Sequence, residues 1–318
     1  MTNKFPMTLL AQDDGVFVFQ TAAVVSSNAR PDTDVEGADV EGADVEGADV
    51  EDISFIVDEK DSLPSGLSSK TSYGELNLGL HVHDDAAKVL DNRMQLLTAI
   101  NEQVARFSSS SNQESSVKQL HWVNQVHGRQ VHDIDATDLS MDPVSADAMV
   151  SQQDSIGLAM MTADCVPVVL YQPSSGQVAA IHAGWKGLAC GVISATVKRF
   201  TESGDIKAWI GVCISRDNYE VNTDVRDKLL TGCIENQTLS AQAIDDFDDL
   251  FSIPSDEAKI KLDLPKLAAA QLVTAGAMVE NESDISCSYA DSLYYSYRRK
   301  THLQQQATGR MALIIVRS

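Results

Sequence analysis

AMMTADCVPVVLYQPSSGQVAAIHAGWKG, residues 159–187, contains three short apolar runs divided by turn signals. Runs of this length, bounded by Pro, Ser and Gly, read as strands buried near a core. Cys165 stands at the break between the first two runs, just before Pro167. Ser174, Ser175 and Gly176 turn the chain into the third run, which delivers His182 at a strand's carboxyl end. Proteins with mixed α and β structure tend to place chemistry at such ends. The rest of the chain is therefore read as scaffold and walls for Cys165 and His182.

Upstream, GVFVFQTAA (15–23) reads as a strand, and residues 53–57 as another candidate. Residues 84–107 read as a helix capped by Asp84 or Asp85, with Leu90, Met94, Leu97 and Val104 at helical spacing. HWVNQVHGRQ begins as a strand and turns at Gly128, just after His127. Downstream, 187–200, 222–231 and 264–273 read as helices, and 207–214, 285–297 and 311–317 as strands. No clear linker interrupts this mixture after residue 60, so one α+β domain is expected.

Residues 34–52 repeat DVEGA, a five-residue period that fits neither helix nor strand. Residues 32–52 carry ten acidic side chains and no basic one, too little apolar area to order themselves. The expected organisation is an N-terminal strand region (1–31), a disordered acidic insertion (32–52) and a main catalytic domain (53–318). A cation-binding acidic loop is the functional alternative for the insertion.

The 318 residues are 43% apolar and carry a net charge of −22, of which −12 remains outside the insertion. That sign argues against binding nucleic-acid phosphates. No run of 18 apolar residues suggests a membrane span, and the N-terminus lacks the apolar core of a signal peptide. Five scattered cysteines, an odd number, fit a reducing compartment better than a disulfide framework. A soluble cytoplasmic protein is expected.

His127, Cys165 and His182 are ligand-grade residues beside turns. Two imidazoles and a thiolate suit zinc or copper, and three protein ligands leave a fourth position open, the catalytic arrangement. A metal there lowers the pKa of bound water to about 7. The alternatives are a Cys165 nucleophile with a histidine base, or hydrogen-bonded core histidines beside a small buried thiol. Spacing alone does not separate a ligand from a nucleophile. Ala183, Gly184, Trp185, Lys186 and Gly187 lead into a helix, either as an anion site with Lys186 or simply as a tight turn. Trp185 is a stacking platform or a core residue. Tyr297, Arg298, Arg299 and Lys300, with Arg310 nearby, form a basic cluster suited to phosphate or carboxylate, or a solvated face. His81, His83, His121, His132 and His302 read as surface or structural.

These stretches together resemble the laccase-domain family, also called YfiH-type or multicopper polyphenol oxidase-like. The resemblance rests on LNLGLHVHDD with Asn92 and Arg93, WVNQVHG, TADCVPVVL, IHAGWKG, IGVCI with Tyr219, Glu220 and Val221, and SYRR followed by TGRMALIIV, over roughly residues 66–318. It implies a mixed-sheet α/β sandwich, monomeric in most bacterial members. It implies that His127, Cys165 and His182 are both metal ligands and catalytic residues. It implies phosphorolysis of adenosine, inosine and S-methyl-5′-thioadenosine with zinc, and adenosine deamination as a further activity. Lys186, Arg298 and Arg299 are then candidates to hold phosphate, and Asn77 and Gln125 to contact ribose or base. The chain departs from the family in three places. Phe19, Gln20, Thr21 and Ala22 replace a segment ending in Arg, the acidic repeat precedes Gly66, Leu67 and Ser68, and His83 stands where Gly is usual. Competing functions are a copper-dependent phenol oxidase, a cysteine hydrolase using Cys165, and a non-enzymatic binding module.

Overall fold

The three central runs all become strands, but they do not lie in one sheet. In the computed structural model, which describes residues 5–24, 73–107, 116–137, 143–256 and 258–318, the strands in chain order are β1 (Met7–Asp13), β2 (Val16–Thr21), β3 (Gln119–His121), β4 (Val131–Asp133), β5 (Ala148–Ser151), β6 (Ile156–Thr162), β7 (Val166–Gln172), β8 (Gln177–Ala183), β9 (Ile206–Ile210), β10 (Glu220–Asn222), β11 (Ser252–Asp256), β12 (Lys259–Leu262), β13 (Ala277–Val279) and β14 (Met311–Arg317). The helices are α1 (Ala86–Phe107), α2 (Trp185–Cys190), α3 (Val192–Val197), α4 (Thr223–Glu235), α5 (Ala241–Asp245), α6 (Phe247–Phe251), α7 (Leu264–Ala275) and α8 (Tyr297–His302). One sheet runs β1-β2-β14-β6-β3, a second β13-β9-β7-β8-β5-β4, and a third, small and antiparallel, β10-β12-β11. The two large sheets mix parallel and antiparallel pairs.

Alternation along the strands builds the layers. Val16, Val18, Leu158, Met160, Leu313 and Ile315 of the first sheet meet Met149, Val169, Tyr171, Val178, Ala180 and Trp209 of the second. On the outer face of the first sheet, Phe17, Phe19, Ile314 and Val316 pack on Leu96, Ile100 and Val104 of α1. On the outer face of the second, Val168, Leu170, Ala179 and Ile181 pack on Leu188, Val192, Leu229, Leu267 and Leu272 of α2, α3, α4 and α7. The order is helix, sheet, sheet, helix. Strands buried on both faces read as continuous apolar runs rather than alternating ones, which is why 159–187 has its pattern. The mixed-sheet sandwich expected from the sequence is thus the observed architecture.

Several local expectations change. The buried stripe of α1 is Val89, Asn92, Leu96, Ile100 and Val104, while Leu90 and Met94 are 51% and 69% exposed. Of the expected residues, Val104 is in that stripe and Leu97 packs partly against it, so packing on β2 and β14 turns the helix only far enough to leave Leu90 and Met94 outside. The helix expected over 187–200 breaks at Gly191, whose φ of +80° is the left-handed conformation that glycine adopts at little cost. Residues 285–297 form turns and one isolated bridge, Cys287 with Cys213, instead of a closing strand. β1, β5 and the small third sheet were not foreseen. The acidic insertion and the candidate strand 53–57 lie outside the described residues.

Candidate metal centre

Register, more than proximity in sequence, assembles the site. β6 belongs to the first sheet and β7 to the second, so residues 163–165 cross between them. The crossing is anchored at Asp164, a non-glycine residue with φ +107°. Its carboxylate accepts from Ser288 Oγ (2.7 Å) and from the Arg298 N–H (2.6 Å), and its carbonyl accepts from the Ile214 N–H (2.9 Å). Thr162 Oγ1 donates to the Cys165 carbonyl at 2.5 Å. Strained backbone held by many bonds concentrates at functional sites, and here it aims Cys165.

β7 and β8 pair antiparallel with Val166 opposite Ala183. Continuing that register by one residue sets Gly184 across from Cys165. A Cβ on Gly184 would lie 2.9 Å from Cys165 Sγ and 3.5 Å from His127 Cδ2. The first Gly of AGWKG therefore makes room for the thiol, and its φ of −66° shows that room, not conformational freedom, is the requirement.

β5 pairs antiparallel with β8, Ala148 opposite Ile181. The His182 N–H donates to the Asp147 carbonyl (2.7 Å), and His182 Nδ1 lies 2.8 Å from Asp147 Oδ1. The same buried carboxylate accepts the backbone N–H groups of Val126 (3.3 Å), His127 (2.9 Å) and Gly128 (2.6 Å). His127 has φ +59°, a turn that wraps three amides around one carboxylate. Asp147 thus holds both histidines, one by its ring and one by its backbone. Burial works against its charge, but the bonds from His182, Gly128 and His127 keep its carboxyl below the usual range. With Nδ1 committed to a carboxylate, His182 presents Nε2, the orientation a metal-binding histidine needs.

One ligand atom each from His127, Cys165 and His182 lies within 4.8 Å of the others. The two imidazoles meet edge to face, with ring centroids 4.8 Å apart. Burial raises the Cys165 pKa, but the His182 charge and hydrogen bonding with His127 and His182 outweigh it and bring it to about 6. Burial lowers that of His182, yet the Cys165 charge and the Asp147 bond raise it to about 9. The site therefore favours a thiolate, the form that binds metal. Two nitrogens and one thiolate, with second-layer bonds in place, fit a borderline-soft ion with an open fourth position.

The other expected site residues are engaged in different ways. Asn77 is fully buried and internally bonded: its Oδ1 accepts the N–H groups of Gly79 (3.0 Å) and Arg310 (2.9 Å), and its Nδ2 donates to Asp84 Oδ2 (3.0 Å). Gln125 pairs by both ends of its amide with the Met161 backbone, at 2.8 and 3.1 Å. Arg299 donates to the carbonyls of Ser288, Tyr289, Asp291 and Tyr294, stapling that loop. Arg298 donates to the Glu220 carbonyl (2.6 Å) and lies over the Tyr219 ring. Lys186 is exposed, with Nζ 5.8 Å from the Trp185 ring centroid, and Trp185 packs partly against the core. His83 ends the 3-10 turn Leu80–Val82 at φ +64°, the left-handed conformation that glycine adopts at lower cost. Asp147 and Asp164 escaped the sequence reading. The available signal was an aspartate at the mouth of an all-apolar strand, since a buried carboxylate needs donors.

Residues 64–318 match the family described as multi-copper polyphenol oxidoreductase laccase. Similar chains named purine nucleoside phosphorylase include one from Pseudomonas aeruginosa, 30% identical over 253 residues and covering 79% of this chain and 89% of its own length. The Escherichia coli (strain K12) chain of that name, YfiH, is 32% identical over 248 residues, covering 76% of this chain and 86% of its own. The fold is that of a Bacillus licheniformis hypothetical protein YfiH, TM-score 0.68 at 24% identity over 100% of this chain and 98% of that one. A Neisseria meningitidis protein of the DUF152 family gives TM-score 0.66 at 23% identity, over 98% and 99%. The match spans every element that builds the histidine–cysteine–histidine group, and this chain belongs to the laccase-like YfiH family.

Proposed function

We propose that this chain is a zinc-dependent purine nucleoside phosphorylase that acts on adenosine, inosine and S-methyl-5′-thioadenosine and also deaminates adenosine. The observation that carries the reading is the His127, Cys165 and His182 group braced by Asp147, in a chain whose relatives at 30–32% identity are named purine nucleoside phosphorylase. A zinc ion held by these three residues supplies a Lewis acid with an open position for a reactant. Phosphorolysis of inosine forms a bond from a phosphate oxygen to ribose C1′ and breaks the C1′–N9 bond, whose electron pair leaves with hypoxanthine; the base takes up the proton that hydrogen phosphate gives up. Deamination replaces the adenosine amino group with water's oxygen and releases ammonia. Asp147 fixes the His182 ring and the His127 turn, so the site is set before substrate arrives. In this reading Asn77 and Gln125 shape the wall through their backbone bonds. Lys186 and Arg298 keep donors to offer a reactant, and Arg299 acts by holding its loop. The enzyme is read as a cytoplasmic monomer.

The test is turnover by metal-replete protein. Hypoxanthine and ribose 1-phosphate from inosine, only when phosphate is present, and inosine from adenosine support the reading. Neither product would sink it. The family description favours one second reading, copper-dependent phenol oxidation. Among the described residues only one metal-binding group is found, fewer ligands than a multicopper set needs. Tight copper loading with phenol turnover would revive that reading.

A further inference from the structure

Phosphorolysis requires a seat for phosphate, and Arg299, one of the residues expected from sequence to provide it, is consumed by carbonyls. A different pair has the right chemistry. Arg310 immediately precedes β14, whose first residue, Met311, pairs with Thr162 at the end of β6. Thr162 in turn bonds to Cys165. The Arg310 backbone is clamped on both sides, its N–H to Asn77 Oδ1 (2.9 Å) and its carbonyl to the Leu78 N–H (3.0 Å). This brings the turn that carries His81 alongside it. Gly79 is the contact point: a Cβ there would lie 2.8 Å from Arg310 Cγ and 3.5 Å from His81 Cε1. Any larger residue would push the two side chains apart.

Both side chains have donors to spare. Arg310 Nη1 donates to the carbonyls of Gly309 (3.0 Å) and Thr308 (3.4 Å), and its Nε and Nη2 make no bond among the described residues. Neither ring nitrogen of His81 has a hydrogen-bond partner among the described residues. The ion-paired guanidiniums there include Arg216, Arg226 and Arg317, but neither Arg310 nor its neighbour Arg93. Arg93 is instead spread over Trp122, 4.1 Å from the ring centroid, and bonded to the Leu78 carbonyl. Partly buried guanidinium charge without a carboxylate is costly unless an anion completes it. In a chain of net charge −22, carboxylates were not scarce.

We infer that Arg310 and His81, brought together over Gly79, form the phosphate seat of this site, with Arg93 as the positive charge behind it. The inference rests on the phosphorylase reading for its ligand. His81 interacts electrostatically with His127, and Arg310 with Cys165. His81 is exposed on its turn; desolvation, then Arg310, Arg93, His127 and His83, hold it down at a pKa of about 4, so its neutral ring donates one N–H while Arg310 supplies the charge. The Cys165 charge is felt at Arg310 and favours its charged form. A planar fork beside a second donor matches a tetrahedral oxyanion.

The test measures inorganic phosphate binding by calorimetry on metal-loaded protein, against chloride at equal ionic strength, and the phosphate and inosine KM values. Arg310→Gln should weaken phosphate roughly 10- to 100-fold, the loss expected for charge-assisted bonds. Inosine KM and metal content should stay close to wild type. His81→Gln should weaken phosphate by a smaller factor, and Arg310→Lys should recover part of the loss. Folded Arg310→Gln with wild-type phosphate affinity overturns the seat. If that variant does not fold, unchanged phosphate affinity in both Arg310→Lys and His81→Gln overturns it. Phosphate binding lost in Arg310→Gln, in a protein that cleaves no nucleoside, would keep the seat and remove the phosphorylase reading. No phosphate binding by wild type would remove the seat.

Discussion

Asp147→Asn tests the arrangement at its centre. The substitution keeps shape and burial but replaces one of two acceptor oxygens with a donor. Asp147 takes four donors, with Oδ1 facing His127 N and His182 Nδ1 and Oδ2 facing Val126 N and Gly128 N. An asparagine can satisfy only one of these pairs. If its oxygen faces the histidines, its amino group faces two backbone N–H groups, and each buried donor left unpaired costs about 1–3 kcal/mol. If it is flipped, the amino group faces His182 Nδ1, which must become an acceptor. The ring proton then sits on Nε2, the atom needed for metal. Either way a loss of about 3–5 kcal/mol of stability is expected, the range for removing one partner of a buried charged pair. Metal affinity should fall roughly 10- to 100-fold, the usual effect of losing an outer-shell carboxylate. Urea unfolding of the metal-free proteins measures the first, and competition with a zinc chelator the second. Stability within about 1 kcal/mol of wild type, together with unchanged zinc affinity, would refute the idea that Asp147 organises the site.

Gly184→Ala should fold, since its φ of −66° suits alanine, but the new Cβ displaces Cys165 Sγ from 2.9 Å. Zinc affinity should drop about tenfold or more, and a variant that binds zinc normally would contradict the close approach. In metal-free protein, alkylation of Cys165 by iodoacetamide should rise as pH climbs through about 6, where the thiolate forms. Peptide mapping separates it from the other thiols, and a midpoint near 8.5 would show that the histidines do not act on it. In α1, Leu96→Ala should cost about 2–5 kcal/mol by leaving a cavity, whereas Met94→Ala, on the exposed face, should change stability by no more than about 0.5 kcal/mol. Equal effects in urea unfolding would return the helix to the face expected from sequence. His182→Ala should abolish metal content from about one ion per chain, read by elemental analysis on protein purified without added metal.

The central strands, the turn at Gly176, the candidate trio His127, Cys165 and His182 and the α+β class were legible in the sequence because each is written locally. Short apolar runs between turn residues fix strands, and His and Cys beside such turns are few enough to stand out. Tertiary structure decided the rest, since sheet pairing is non-local. Nothing within 159–165 says that β6 and β7 belong to different sheets, or that their crossing is tied to Ser288 and Arg298. Asp147 acquires its role only because β5 pairs with β8 in a register that opposes it to His182. In α1 only the position of β2 and β14 chose Leu96 over Met94. Arg310 and His81 lie far apart along the chain and meet because Asn77 and Leu78 bond to the Arg310 backbone. Periodicity reports which residues are buried, but the partners that bury them are fixed by register and packing.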